Sequence, residues 1–173
     1  ATLYNMVGFQ TNLKWGPQKE MIQMIPGLEE AEVVRYGVMH RNTYLHSPEV
    51  LRPTLQLKDH QHIFIAGQLT GTEGYTESIA TGMISAINIA RLIDGEKALT
   101  LPPETMLGAL LQYITREEAA GKNFQPINSN WGILPPLAKR ERNKQLRNEL
   151  YVKRAQESLA RFNEEHQLNT SLI

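Results

Sequence analysis

Residues 62–92 constrain the fold more than any other part of the chain. They read "HIFIAGQLTGTEGYTESIATGMISAINIARL": a short apolar run, a loop with three glycines, and a long segment of small and apolar residues. The run at 63–67 is apolar on both faces, which is typical of a strand in a covered, parallel-type sheet. Beyond the loop, the pattern predicts a helix from Tyr75 or Thr76 to about Ile93. The stretch therefore predicts a strand–loop–helix unit of an α/β fold.

The loop between strand and helix contains Gly67, Gly71 and Gly74, at spacings of four and three. The dinucleotide fingerprint needs G-x-G-x-x-G and the P-loop needs G-x-x-x-x-G-K-[ST], and the chain contains neither. A glycine at a strand end still allows close approach of a ligand, and a helix N-terminus offers unpaired N–H groups to a phosphate or carbonyl. The spacing alone leaves two interpretations open, a secondary cofactor contact and an ordinary β-to-α turn.

The remaining segments predict further helices and strands. Pro17 suits the first turn of a helix, and Pro26-Gly27 would stop that helix. The helix after the glycine loop carries an apolar stripe of Ile79, Met83 and Ile87, and its small residues would let it lie close to a sheet or a neighbour. The other expected elements are strands at 31–40 and 54–59, an extended run at 42–47, a helix that starts after Pro102-Pro103 and is closed by Gly121, and a helix at 138–165.

Composition excludes several kinds of site. The 173 residues contain 18 Lys and Arg against 18 Asp and Glu, so no overall charge points to a partner. The absence of cysteine excludes disulfides, thiolate chemistry and cysteine–zinc sites within this chain. No apolar run approaches the roughly 18 residues of a membrane span. The start, "ATLYNMVGFQ", has neither an initiator Met nor the basic region of a signal peptide, so we expect the chain to begin within a longer protein.

One segment is locally basic. Between residues 139 and 161 there are eight cations and three anions. If the segment is helical, Arg140, Lys144 and Arg147 share one face. Two interpretations stay open: a solvated helix face, and a surface that contacts nucleic-acid phosphates.

A metal site is not expected. Asp59, His60 and His62 form a "DHQH" cluster, and two histidines with an aspartate could bind zinc. However, no further ligand follows at a suitable spacing.

Two longer blocks carry a family resemblance. The segment "FIAGQLTGTEGYTESIATGMISAINIAR" resembles the second flavin contact of FAD-dependent tRNA-modifying proteins. Upstream, "MVGFQTNLKWGPQ" and "IPGLEEAEVVRYGVMHRNT" resemble the folate- and FAD-dependent tRNA (uracil-5-)-methyltransferase family (TrmFO type), which is related to the GidA/MnmG flavoproteins. The resemblance runs from Leu3 to about Glu165.

The resemblance implies a fold and a domain plan. The chain would be the C-terminal portion of a Rossmann-like FAD-binding domain, with the end of an inserted substrate domain at 1–54 and the FAD-binding part, including the C-terminal helices, at 55–173. In that family the G-x-G-x-x-G loop and the nucleophilic cysteines precede this region. The missing N-terminal part of the same protein is then an expected partner, and the isolated chain is expected to be inactive.

The resemblance also implies an activity. A one-carbon unit would pass from 5,10-methylenetetrahydrofolate to C5 of a T-loop uridine in tRNA, giving 5-methyluridine, with FAD as cofactor and NAD(P)H as reductant. Such an enzyme would be cytoplasmic. Its expected partner is tRNA, and it is not expected to bind a membrane. Two alternatives stay open: a GidA/MnmG-type modifier of wobble uridine, and a non-enzymatic RNA-binding module.

Site residues follow from the resemblance position by position. Gly67 and Gln68 would contact the cofactor at the strand end, and the backbone N–H groups near Gly74, Tyr75 and Thr76 would face the flavin pyrimidine edge. Glu73 and Glu77 would cap the helix or pair with a base. His40, Arg41 and Asn42 are candidates for the substrate cleft, although His40 could equally be a structural histidine. The candidates for RNA contact are Arg140, Lys144 and Arg147.

Overall fold

Helices dominate the computed structural model, which describes residues 3–7, 11–37 and 42–168. Contacts divide the chain into two units, Ala1–Asn42 and Thr43–Ile173. Within the described residues, three 3-10 turns cover Gly67–Thr70, Glu117–Ala119 and Trp131–Ile133. The α-helices there are α1 (Trp15–Gln23), α2 (Ser47–Val50), α3 (Tyr75–Ile93), α4 (Met106–Thr115) and α5 (Lys144–Glu165).

The first unit is organised around α1. Pro17 lies in its first turn, as predicted, and the helix ends at Gln23, ahead of Pro26-Gly27. The buried Gln18 amide donates to the Leu13 carbonyl at 2.7 Å, and it exchanges two hydrogen bonds with the backbone of Gly37 at 2.9 and 3.0 Å. The side chain of Gln18 on α1 thus fixes the backbone of Gly37, which lies in the segment 31–40 that the sequence predicts as a strand.

The predicted strands are largely wrong. Residues 31–37 and 42–47 form no strand, and residues 38–40 lie outside the described residues. Elsewhere in the described chain, β pairing is limited to isolated bridges, and the bridge that includes Phe64 is antiparallel. A covered parallel strand needs parallel neighbours on both sides. The described residues supply none for 63–67. The described chain is therefore mostly helical and lacks the predicted α/β sheet.

Polar side chains of α3 take the place of those neighbours. The Ser85 hydroxyl donates to the Ile65 carbonyl at 3.3 Å. The fully buried Asn88 amide donates to the carbonyls of Thr54 and Leu99, at 3.2 and 3.0 Å, and accepts from the Leu99 N–H at 2.7 Å. Buried backbone groups require partners, and these side chains supply them to the backbone of Thr54, Ile65 and Leu99 beside α3.

The opposite face of α3 is exposed. The predicted helix matches α3, and Gly95, with φ of 78°, follows its end. Its apolar stripe, however, is largely exposed: Ile79 is 72% exposed, Met83 54% and Ile87 40%. An apolar stripe of this kind normally faces a partner.

The core of the second unit lies around α4. Thr105 caps this helix by accepting from the Gly108 N–H at 3.0 Å. The helix ends at Thr115 rather than near 121, because Arg116 takes an extended conformation with ψ of 126°. The buried core residues are Leu55, Ile84, Leu110, Leu111, Ile114 and Phe124.

The last helix starts later than predicted. Residues 138–143 are not helical, and α5 begins at Lys144, where the Asn143 side chain accepts from the Leu146 N–H at 3.1 Å. Asparagine competes for backbone groups outside helices and is favoured at such caps. Arg140 therefore lies in the extended lead-in to α5, not on a helical face with Lys144 and Arg147.

Candidate functional site

The glycine loop is built from left-handed backbone. Its three glycines have φ values of 68° at Gly67, 83° at Gly71 and 103° at Gly74. Residues with a Cβ rarely adopt such values. The loop therefore needs glycine at each of the three positions that the sequence marks, although their spacing matches no phosphate-binding motif.

Threonine hydroxyls hold the start of the loop. The Gly67 carbonyl accepts from Thr70 at 2.8 Å and from Thr72 at 3.2 Å, while its N–H donates to the Thr81 hydroxyl at 2.9 Å. All three threonines are fully buried. The sequence patterns did not single them out, although the "TGT" spacing around Gly71 and a threonine in the second turn of the helix were visible signals.

A second contact fixes the middle of the loop. The ring of Phe124 packs directly against Gly71: two of its atoms lie 2.6 Å from the position that a Cβ on Gly71 would take, which is too close for any side chain. The backbone of Ile127 pairs with this segment, with N–H···O distances of 3.1 Å to Gly71 and 3.0 Å from Glu73. The loop is thereby pinned to the segment that follows α4.

The loop ends at the exposed N-terminus of α3. Gly74 is the N-cap and has no side chain that could cap the first turn. Tyr75 and Thr76 are exposed. The first N–H groups of a helix have no intrahelical partner. They carry a partial positive charge that suits an anion or an electron-rich carbonyl.

The carboxylate of Glu77 lies at this end of the helix, in the space that a Cβ on Gly74 would need. It accepts hydrogen bonds from the Ser129 hydroxyl and, at 3.0 Å, from the Ser129 N–H. The Ser129 hydroxyl, followed by the residue's own backbone N–H, lowers the pKa of Glu77 below its ordinary value of 4.5. The carboxylate is thus engaged in joining α3 to the 128–130 segment.

The two ends of the glycine loop lie together. A Cβ on Gly67 would stand 3.9 Å from the Cβ of Ser78, in the first turn of α3. Gln68 is exposed beside them. The structure therefore brings the predicted flavin-contact residues into one surface region.

The other candidates are dispersed or undescribed. His40 and Arg41 lie outside the described residues, and Asn42 is exposed at the end of the first unit. In the second unit, Arg140 and Lys144 are exposed, whereas Arg147 is half-buried.

Neither a metal cluster nor a membrane-spanning helix is found in the described residues. The rings of His60 and His62 lie 6.0 Å apart, and the described part of the chain contains no group of three His, Asp or Glu arranged around a common point for a metal ion. None of the helices in residues 3–7, 11–37 and 42–168 is long and apolar enough to cross a membrane.

Comparison with known proteins identifies the family. The model of the family described as glucose inhibited division protein A matches residues 1–97, which is more than half of the chain. The chain therefore belongs to the glucose inhibited division protein A family.

Within that family, the chain is similar to proteins named methylenetetrahydrofolate–tRNA-(uracil-5-)-methyltransferase TrmFO. It is 58% identical over 162 residues to the protein of Bacillus mycoides (strain KBAB4), and 57% identical to that of Bacillus cereus (strain AH187). Each match covers 94% of this chain and 37% of the relative. The resemblance to the TrmFO type is thus confirmed, and the chain spans little more than a third of the relatives' length.

Proposed function

We propose that this chain is a segment of a folate- and FAD-dependent tRNA (uracil-5-)-methyltransferase. In the longer protein, the one-carbon unit would pass from 5,10-methylenetetrahydrofolate to C5 of a T-loop uridine, giving 5-methyluridine in cytoplasmic tRNA, with NAD(P)H as reductant. The observation that carries this proposal is the 58% identity to a protein of that name across nearly the whole chain.

Within such an enzyme, the glycine loop would form one side of the flavin site. The fit rests on the N-terminus of α3, where Gly74 has no side chain to cap the first N–H groups, and on exposed Tyr75 and Thr76 beside it. The N–H of Glu77 in that turn is taken by its own carboxylate. When bound, FAD supplies the electron-transfer chemistry of the reaction. The chain's own contribution is to hold these N–H groups in place and to present Gln68, whose amide can donate and accept.

The buried threonines would keep that geometry fixed. Thr81 holds the N–H of Gly67, and Thr70 and Thr72 hold its carbonyl. Because these bonds stiffen the loop before any ligand arrives, little conformational entropy would be lost on binding.

The N-terminal part of the same protein is the proposed partner of the exposed α3 stripe. Ile79, Met83 and Ile87 form a continuous apolar surface beside the candidate flavin loop. The relatives are far longer than this chain. A domain completed around α3 would bury the exposed part of these side chains, and each would gain a share of the about 1.5–3 kcal/mol of a full burial that matches its exposed fraction.

The proposed contact surface for tRNA is the basic segment 139–147, which comprises the non-helical residues before α5 and the first turn of that helix. Lys139, Arg140, Arg142 and Lys144 are all exposed. Replacing Arg140, Lys144 and Arg147 with Gln removes three charges, and the slope of log affinity against log salt should flatten by about 0.7–0.9 for each phosphate that is no longer neutralised. The single variant Lys97→Gln, an exposed cation outside this segment, is the control.

The activity itself is tested with the full-length protein. Purified protein is given an unmodified tRNA transcript, methylenetetrahydrofolate, FAD and NADPH, and 5-methyluridine is measured by nucleoside mass spectrometry. Its appearance in the T-loop supports the proposal. Modification at the wobble uridine instead would favour the GidA/MnmG-type alternative, and tRNA binding without modification under any of these conditions would favour a non-enzymatic RNA-binding module.

A further inference from the structure

An open groove runs along α5 beside an exposed tryptophan. Its volume is about 640 Å³, and its walls are the indole of Trp131 and one face of α5. Trp131 is 46% exposed and Val152 is 47% exposed. None of the candidate flavin or cleft residues lines it. The lining residues are Trp131, Lys144, Gln145, Asn148, Glu149, Val152, Lys153 and Gln156.

The position of Trp131 is fixed by contacts of its neighbours and of its ring. It opens the 3-10 turn 131–133, where the Asn130 side chain accepts from the Gly132 N–H at 2.9 Å. Its ring lies 5.9 Å from that of Tyr151. Arg154 fastens the following segment to α5 by donating to the carbonyls of Pro135 and Pro136, at 2.7 and 2.9 Å. The exposed indole is therefore preorganised, and binding there would cost little ordering entropy.

The groove combines three kinds of chemistry. Trp131 and Val152 supply an aromatic face and an apolar floor, while Asn148 and Gln156 supply amide donors and acceptors. Lys144 and Lys153, nine residues apart on α5, supply positive charge. Glu149 adds one carboxylate to the lining, and the carboxylate of Glu157 lies 4.0 Å from the Lys153 ammonium. Exposed Lys139, Arg140 and Arg142 extend the positive charge beyond Lys144.

We propose that this groove binds an unpaired nucleotide of RNA, with its base stacked on Trp131 and the adjoining phosphates near Lys144 and Lys153. Single-stranded nucleic acids are gripped by aromatic platforms beside positive charge, and every base offers a π-face. The amides can read the edge of the base. The inference rests on the proposed function insofar as tRNA is the RNA supplied.

A direct test uses the 173-residue chain itself. It contains two tryptophans, so Trp15→Phe leaves Trp131 as the sole indole. Titration with a single-stranded oligouridylate should quench the Trp131 emission, and Lys144→Gln with Lys153→Gln should weaken that effect at low salt. Unchanged emission at saturating oligonucleotide overturns the proposal.

A second test uses the full-length protein and an unmodified tRNA transcript. Trp131→Ala should weaken binding by about 5-fold or more, the loss expected for one stacked base. Because the indole carries no charge, the salt slope should stay unchanged. Trp131→Phe should retain most of the affinity, and Trp15→Ala, which removes an indole stacked on Tyr36 in the first unit, is the matched control.

The outcomes separate this inference from the proposed function. If the wild-type protein forms 5-methyluridine but Trp131→Ala binds tRNA as the wild type does, only the groove assignment fails. If the wild type forms no 5-methyluridine while Trp131→Ala still loses RNA affinity, the groove stands and the proposed activity fails. Equal loss with Trp15→Ala would overturn the groove assignment, because the effect would not be specific to it.

Discussion

Gly71→Ala should destabilise the second unit strongly, because the added methyl group brings two energetic costs, one from the backbone conformation and one from a steric clash. The residue has φ of 83°, and left-handed backbone costs an L-residue about 1–2 kcal/mol. Its new Cβ would also stand 2.6 Å from two atoms of the Phe124 ring, which is buried in the core. Overpacking of a core costs about 1–3 kcal/mol. The expected loss in free energy of unfolding is therefore about 2–5 kcal/mol.

The loss is measured by thermal unfolding of the 173-residue chain, followed by circular dichroism. For a chain of this size each 1 kcal/mol lowers Tm by about 2–4 °C, so a loss near 3 kcal/mol lowers it by about 6–12 °C. Gly82→Ala is the control. No atom lies within 4 Å of its Cβ position inside α3, so it should be neutral or stabilise by up to about 1 kcal/mol.

A double-mutant cycle with Phe124→Leu isolates the steric part. If the ring is the obstacle, Gly71→Ala should cost only the backbone part, about 1–2 kcal/mol, in a protein that already carries Phe124→Leu. An unchanged Tm for Gly71→Ala, or the same penalty with and without the ring, would refute the reasoning.

Three further predictions test the loop and its helix. Gly74→Val places a β-branched residue at φ 103° and ψ 153°, a backbone region that is used almost only by glycine and costs other residues about 1–3 kcal/mol. The purified full-length protein should therefore retain less flavin, as measured by absorbance. Full retention would contradict our placement of the loop. Glu77→Gln should flatten the dependence of stability on pH in the acid range. Because the pKa of Glu77 is lowered in the folded protein, its carboxylate stabilises the fold at pH values above the ordinary pKa of 4.5, and this contribution is lost as the pH falls through the folded-state pKa. Thermal melts of both proteins across this pH range would show the difference. Asn88→Leu leaves three buried backbone groups without partners and should cost about 3 kcal/mol or more in urea unfolding, whereas a near-neutral result would mean that the helix face repacks.

Some features of the fold were predictable because their causes are local. The helix over 75–93 follows from residue spacing and from the glycines that bound it at either end, and the structure has it at those residues. The helix at α1 likewise follows from Pro17 and the Pro26-Gly27 stop. Helix periodicity and terminal signals are properties of neighbouring residues. The family, too, was identified from idiosyncratic blocks of sequence.

The strand predictions failed because a strand forms only when it pairs with segments that are distant in the sequence. The run 63–67 has the composition of a buried strand, yet strands are stabilised by neighbours. In the described chain, this run pairs with the backbone of residues 55–57 on one side, and the hydroxyls of Thr81 and Ser85 bond its backbone on the side of α3. Sequence periodicity could not show that the polar face of this helix would turn inward and the apolar stripe outward.

By itself, the sequence determined the family, the three glycines of the candidate loop and the helix that follows them. Only the tertiary structure decided what the loop rests on: the threonines around Gly67, the Phe124 ring against Gly71 and the Ser129 contact of Glu77. It also separated Arg140 from the helix of Lys144 and Arg147, and it placed Trp131 beside a groove. The physical reason is that glycine conformation and helix periodicity arise between adjacent residues. Contacts between residues far apart in the chain, such as those joining the loop to residues 124–129, depend on how the whole unit packs.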